Sequence, residues 1–390
     1  MHITVRKESD QVIDAKKFLN SLKRIHVDFY TGVPDSQLKF FCNEIYRNTK
    51  LGIDHIVTAN EGAAVGLASG HYLASGKPAL VYMQNSGIGN ALNPIVSLAD
   101  EHIYKIPMVF VIGWRGEPDT KDEPQHVFQG MITEELMNVL HIPYVVLSKQ
   151  TTEEEVNAYI QQAGEIIGQE RSMAFLVKKG AFEGDDVAYP SYGTMTREEA
   201  MEVIIAQESV PSVYVSTTGK LSRELYELRE QRKETHGQDF LTVGSMGHAS
   251  MIAMGIALEK NAYRVWCLDG DGAALMHMGS MALVAHTNCK NMVHVVFNNG
   301  AHETVGGMPV VYGRADFSAI AKACGYQYVE QAEDIESLQA ALLRIQASKG
   351  TCFLEVKVSL ESRKNLGRPS NTPMENKKLL MDLLEANKKE

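Results

Sequence analysis

Residues 265–300 read VWCLDGDGAALMHMGSMALVAHTNCKNMVHVVFNNG, and the groups at the two turns that can bind a cation are oxygen donors. Strand, turn, helix, strand and turn follow one another within the length of one βαβ unit, so both polar turns end neighbouring parallel strands. Open α/β sheets bind ligands at that edge. Asp271 and Asn298, 27 residues apart, therefore converge although they are distant in sequence. With the Gly300 carbonyl they form a small hard-oxygen set, which suits Mg2+ when phosphate oxygens complete an octahedron. Gly270 and Gly272 permit a tight turn and close backbone approach, so amides near Ala273 and Ala274 can donate to a diphosphate at the helix start. Either turn alone is explained as well by ordinary turn chemistry. The combination GDG, 25 residues, NN in a strand-helix-strand setting carries the reading. GDGAAL lacks the third glycine of a dinucleotide fingerprint, and neither Gly76-Lys77-Pro78 nor Gly219-Lys220-Leu221 completes a P-loop.

The elements that must hold such turns are visible along the chain. Short β-branched or aromatic runs at 79–83, 108–112, 174–177, 213–215, 265–268, 293–297 and 353–356 read as buried parallel strands. Segments of helical spacing lie between or beside them, at 12–25, 62–74, 197–208, 249–259, 278–288, 317–323 and 334–348, with an amphipathic surface helix over 375–388. Alternating strand and helix implies doubly wound α/β sheets. At 178–196 Gly, Pro and acidic residues gather and periodicity lapses, which divides the chain into domains at 1–180 and 197–390 joined by a linker over 181–196.

A chain of 390 residues with 44% hydrophobic and 22% charged residues is globular and not disordered. Its formal charge of −10, without a basic block, argues against nucleic acid or an anionic membrane as partner. Five scattered cysteines without a CxxC argue against a disulfide framework or zinc site and for a reducing compartment. The charged start, MHITVRKESDQ, and the lack of a membrane-length apolar stretch lead us to expect a cytoplasmic protein.

The GDG…NN arrangement resembles the diphosphate motif of thiamine-diphosphate enzymes. That resemblance implies a pyrimidine-binding domain in 1–180, a diphosphate-binding domain in 197–390, and thiamine diphosphate with Mg2+ as cofactors. It also implies a homodimer or higher homo-oligomer, because in this superfamily the two domains sharing one cofactor normally come from different subunits. The family places a proton-accepting carboxyl against the aminopyrimidine ring, and Glu61 in VTANEGAAVGLASG (57–70) occupies such a place, at the start of a helix rich in Gly and Ala. A first-turn acid facing the macrodipole is the plain alternative. Thr217, Thr218 and Gly219 in STTGK (216–220) end the first strand of the second half, where family members contact the diphosphate. VGSMGHAS (243–250) supplies Ser245 and Met246, and the Met matches the residue that bends thiamine or else packs in the core. Ala273 and Ala301 complete the cofactor contacts.

The halves join without a third domain between them, and several stretches resemble the phosphonopyruvate and sulfopyruvate decarboxylase family. They are TGVPDS (31–36), TANEGAAVGLASGHYLASG (58–76), QNSGIGNALNP (84–94), IGWRGEPDTKDEPQH (112–126), LDGDG…FNNGAHETVGG (268–307) and LGRPSNTP (366–373). The likeness spans nearly the whole chain and implies a carbon–carbon lyase acting on a 2-keto acid with a phosphonate or sulfonate group. Sulfonate enzymes of this family are often made as two subunits, so a fused chain favours 3-phosphonopyruvate, with sulfopyruvate or another 2-keto acid as the alternative. Arg115, Lys121 and His126, in one loop, can supply charge-assisted hydrogen bonds to such an anion, or they belong to a solvated charged loop. Asp35 is placed to orient substrate or to protonate the carbon that loses CO2, or it caps a helix. The resemblance places Asn85 and Ser86 at the substrate carboxylate or the pyrimidine edge, and His302, which follows the metal turn, facing substrate as a candidate catalytic residue beside His126. Glu224 and Asp269 lie near the same strand ends, where a helix-start acid and a turn acid explain them equally well.

Overall fold

The computed structural model describes residues 12–191, 193–287, 289–310 and 315–386. The chain divides into two compact units, Met1–Ala188 and Tyr189–Glu390. The first carries six parallel strands, β1 (Tyr30–Gly32), β2 (His55–Val57), β3 (Ala79–Gln84), β4 (Met108–Gly113), β5 (Tyr144–Leu147) and β6 (Met173–Val177), in the order β2-β1-β3-β4-β6-β5. The second carries β7 (Ser212–Ser216), β8 (Asp239–Leu241), β9 (Arg264–Gly270), β10 (Met292–Asn298), β11 (Tyr328–Ala332) and β12 (Cys352–Lys357), in the order β8-β7-β9-β10-β12-β11. The two sheets are wound identically. In each, the chain steps outward from the first strand and then returns to its other side, so strand order reverses between β1 and β3 and between β7 and β9. Loops leaving those two strands part and open a crevice at their carboxyl ends.

All seven apolar runs are strands, because a sheet covered by helices on both faces asks for continuous Val, Ile and Phe rather than alternation. β4 (MVFVIG) is buried at every position. Sequence pattern did not reveal β1, β2, β5, β8 and β11. Four of these are sheet edges, where one side of the strand has no neighbour and apolar residues thin out, as in Tyr328–Ala332 (YVEQA). The helix Lys220–Arg232 also escaped the pattern, because its inward face carries Glu224 and Arg229 beside its leucines. Among the described residues no helix is long and apolar enough to cross a membrane.

The 181–196 stretch is anchored at both ends. Phe182–Glu183 pairs in parallel with Ile13–Asp14, and the Phe182 ring packs 5.1 Å from Phe18 and 5.5 Å from Phe41. Met195, in contrast, belongs to the core of the second unit around Trp266 and Leu354. The helix Pro373–Ala386 covers the β8 edge: Asn376 accepts from Leu241 N at 3.0 Å and donates to Asp239 O at 2.9 Å, so its amide takes the place of a further strand. Phe182→Ala removes a buried ring from a four-phenylalanine cluster and should cost about 3–5 kcal/mol. A lower urea midpoint for the unfolding of the first unit checks this.

Candidate functional site

In the second unit the crevice lies between the loops after β7 and β9. Asp271 opens a short helix directly after β9 and is buried. Its Oδ1 accepts from Gly272 N at 2.7 Å and its Oδ2 from Gly300 N at 2.6 Å. Burial pushes the carboxyl up to about 7, against those amides and the charge of Arg197. A buried carboxyl that receives only neutral N–H donors fits a site built for a cation. Gly272 gives the floor its shape: a Cβ there would stand 3.1 Å from His302 Cε1 and 3.5 Å from Met246 Cε. Met246 and His302 thus meet over the GDG turn. Burial holds the His302 imidazole down to about 4, and its Nε2 has no partner among the described residues. Thr218 Oγ1 accepts from Gly244 N at 3.0 Å, which ties the loop of Thr217–Gly219 to that of Ser245 and Met246. Ser245 has a φ of 45°, a left-handed backbone in which a side chain is strained. These four loops are an amide-rich rim that fits a diphosphate.

The side-chain amides sort differently from the sequence expectation. Asn298 Nδ2 donates to Glu355 Oε1 at 2.7 Å and to Ala315 O at 3.2 Å, and Glu355 also accepts from Ser318 N and Oγ. Asn299 Oδ1 instead accepts from Ala301 N at 3.0 Å, one residue beyond the amide that Asp271 takes. Asp271 and Asn299 thus meet at one backbone turn, while the Gly300 carbonyl already accepts from Val310 N at 3.1 Å. Asn298 anchors the turn from beneath, and Asp271 and Asn299 hold successive amides of it. Glu224 is committed to Arg197, at 2.5 and 2.7 Å, and Asp269 Oδ1 accepts from Gly270 N.

In the first unit Glu61 begins the helix Glu61–Ser75 and is buried at 5% exposure, which a plain first-turn acid would not be. Asn90 Nδ2 donates to its Oε2 at 2.8 Å. Gly87 makes room for it, since a Cβ at 87 would lie 2.5 Å from Glu61 Oε1. Burial raises the Glu61 carboxyl above its ordinary 4.5, and the Asn90 bond offsets this in part.

Asp35, fully buried after β1, bridges the β1/β3 crevice: Gln84 Nε2 donates to its Oδ1 at 2.6 Å, and Ser86 Oγ donates to Gln84 Oε1 at 2.7 Å. Asp35 also caps the turn at Ser36 through Gln37 N, as the helix-cap expectation has it. A Cβ at Gly113 would stand 2.5 Å from Asp35 Oδ2. Arg115, two residues after β4, is clamped by Asp122 through Nε at 2.7 Å and through Nη2, and its Nη1 donates to Ser36 Oγ at 3.1 Å. Against the pull of burial, that guanidinium and the amides of Gly116 and Glu123 hold the Asp122 carboxyl well below the usual carboxylate range. Asn85, expected at the substrate, spends its amide on Arg115 N and O and on Thr133 Oγ1, so it shapes the loop. His126 is buried with Nδ1 unpartnered among the described residues, and burial together with Arg115 lowers its imidazole below 6.5. Lys121 is exposed. Sequence reasoning missed Gln84, Asn90, Asp122, Asn299 and Glu355; the first four lie inside stretches it had singled out.

Because burial raises Glu61, the folded chain keeps that proton to higher pH than the unfolded chain does. The cost of ionising it sets in as pH rises past 4.5 and is complete above the folded value. The melting temperature of the ligand-free protein should fall over that window more steeply than that of Glu61→Gln. Parallel curves would mean that Glu61 ionises at its ordinary pH.

Two family descriptions match the chain: the thiamine pyrophosphate enzyme N-terminal TPP binding domain over residues 15–139, and the C-terminal TPP binding domain over residues 217–356. The chain is 33% identical over 381 residues to a phosphonopyruvate decarboxylase of Streptomyces viridochromogenes, covering 93% of both chains. It is 32% identical to that of Streptomyces hygroscopicus, over 93% of this chain and 92% of the relative. It is 25% identical to a sulfopyruvate decarboxylase of Methanosarcina acetivorans, over 87% of this chain and 90% of the relative. That last relative is itself of matching length, so a fused chain does not by itself separate the two substrates. By domain content and full-length likeness the chain belongs to the thiamine pyrophosphate enzymes, in the family of the phosphonopyruvate decarboxylases, and is a thiamine-diphosphate-dependent decarboxylase.

Proposed function

We propose that this enzyme converts 3-phosphonopyruvate to phosphonoacetaldehyde and CO2 with thiamine diphosphate and Mg2+, as a step of phosphonate biosynthesis in the cytoplasm. The observation that carries the anionic substrate is the clamped Arg115. Of its five N–H groups, three are committed to Asp122 and Ser36. One remains on each terminal nitrogen, a fork that matches two oxygens of a phosphonate. A sulfonate offers the same oxygens, so the choice between them rests on the higher identity to the phosphonopyruvate enzymes, 33% against 25%.

Thiamine diphosphate, when bound, supplies the electron sink for the pair released with CO2. The chain's own groups do the rest. Asp271 and Asn299 hold the cation, with Asn298 and Gly300 fixing the turn between them. Amides of Gly272 and Ala273 and the Thr217–Gly219 loop take the diphosphate, Ser245 and Met246 line the ring, and Ala301 completes the rim. Glu61 holds the proton exchanged with the aminopyrimidine. Asp35, poised by Gln84 and Ser86, orients substrate and returns a proton to the carbon that lost CO2. His126 and His302, both kept neutral by burial, donate hydrogen bonds rather than charge. Lys121 adds a mobile positive charge for the second charge of a phosphonate. Each unit carries only part of this set, and we infer a homodimer or higher homo-oligomer.

CO2 release on phosphonopyruvate, sulfopyruvate and pyruvate, with and without both cofactors, tests the proposal. Cofactor-dependent turnover preferring phosphonopyruvate is expected, and preference for sulfopyruvate would reassign the substrate. Glu61→Gln should keep cofactor affinity while losing about 10²–10⁴-fold in turnover. Asp271→Ala should instead raise the Mg2+ requirement beyond the about 10–100-fold that loss of an outer partner costs. Titration calorimetry beside steady-state rates separates the two.

A further inference from the structure

The segment from Gly300 to Val310 is a small hairpin across the carboxyl end of the second sheet. Ala301–His302 pairs antiparallel with Met308–Pro309, Gly307 N donates to His302 O at 3.0 Å, and Val310 N to Gly300 O at 3.1 Å. Its base carries the amides that meet Asp271 and Asn299. Its tip carries Glu303, and what Glu303 touches is unusual for a loop acid.

Glu303 Oε1 accepts from Lys220 Nζ at 3.0 Å and from Ser362 Oγ at 2.6 Å. Its Oε2 accepts from Arg197 Nη1 at 2.8 Å and from Asn299 Nδ2 at 3.5 Å. Arg197 is itself buried and bound by both carboxylate oxygens of Glu224. Two cations and two carboxylates make this cluster neutral, and Lys220, which follows Gly219 in the diphosphate loop, is held within the protein by Glu303 and Ser362. The side chains of Arg197 and Glu303 are 8% and 9% exposed, and that of Lys220 is 32% exposed. The loops touch as well: a Cβ at Gly219 would stand 3.4 Å from Thr304 Cγ2. A hairpin that crosses the crevice and is pinned on its far side by charge-assisted bonds is closed by those bonds, since its own ladder is only two residue pairs long.

We propose that Glu303 is a positioning residue that latches the 300–310 hairpin to the Gly219–Lys220 loop and so locks the two cofactor loops into one rim. The proposal rests on the thiamine-diphosphate reading for its functional consequence, but the latch is a property of the ligand-free chain. It sets how fast the cofactor leaves and does not enter the chemistry at the keto acid.

Hydrogen exchange of the ligand-free protein, read by mass spectrometry on peptides covering 301–310, tests the latch directly. Glu303→Gln should speed exchange there by about tenfold or more, the loss expected for a charge-assisted bond, without changing β9. Lys220→Met, which removes the more exposed partner, should shift it in the same direction and serves if Glu303→Gln fails to fold. Calorimetry with thiamine diphosphate and Mg2+ should show weaker cofactor binding in both variants. The rate at saturating cofactor and the KM for the keto acid should stay near wild type, which general destabilisation would not produce. Unchanged exchange in a folded variant would overturn the latch even if cofactor binds. Faster exchange in a chain whose wild type binds no thiamine diphosphate would support the latch and sink the cofactor reading instead.

Discussion

Two of the carboxyl groups buried without an ion pair of their own among the described residues are Glu61 in the first unit and Asp271 in the second. Removing an ionised carboxylate from water is expensive, and neutral donors repay only part of that cost. Glu61 receives Asn90, and Asp271 receives the amides of Gly272 and Gly300. Both consequently stay protonated to higher pH than a free acid. Glu61 also needs a glycine to be there at all, since a Cβ at Gly87 would stand 2.5 Å from its Oε1. A chain selected for stability alone would place a hydrophobic group or a salt bridge at both positions. That it holds two costly acids at the carboxyl ends of two sheets is what supports the proposed acid–base and cation chemistry.

The cationic side chains are treated in the opposite way. Arg115, Arg197 and Arg229 are each gripped by carboxylates in planar, bidentate geometry. A guanidinium so paired contributes little net charge but fixes the loop from which it springs, because the paired geometry fits only one arrangement of both partners. Arg115 thereby presents two defined N–H groups instead of a diffuse positive field, and Arg197 orders the hairpin over Asp271. The electrostatic pattern of the two crevices is buried acids held by neutral donors beside bases compensated by carboxylates.

The polar turns were legible in the sequence because their residues break a run of buried strand at its end, where a sheet of this kind must bind its ligand. GDG and NNG were found that way, whereas TGVPDS and the Arg115 loop were singled out by their resemblance to the decarboxylase family. What pattern could not resolve was which of two adjacent amides is tied down beneath the turn. Asn298 and Asn299 are equal in type and differ by one step along the strand, and only the bond from Asn298 to Glu355, 57 residues later, decides it. Gln84 and Asp122 were passed over for a related reason. A neutral amide or an acid in a basic loop shows no signal of its own until folding brings Asp35 or Arg115 beside it. Edge strands were missed because they bury too little to be written in apolar residues.

The two units have one topology and divide the work between them by what they place in corresponding loops. The third residue after the first strand is Asp35 in one unit and Gly219 in the other; the fourth after the second strand is Glu61 or Ser245. After the third strand comes Asn85 or Asp271, and two residues past the fourth comes Arg115 or Gly300. The first unit fills these positions mainly with titratable or charged side chains. The second fills them mainly with small residues, which leave the backbone open to close approach, plus one buried carboxylate. The winding fixes where a loop can meet a ligand and leaves open what it offers there. A phosphate-bearing group needs many short, fixed N–H donors, which side chains cannot supply without crowding one another. A proton relay needs a titratable group in an apolar wall, which backbone cannot supply. Separate copies of one scaffold satisfy both demands where a single set of loops would have to compromise.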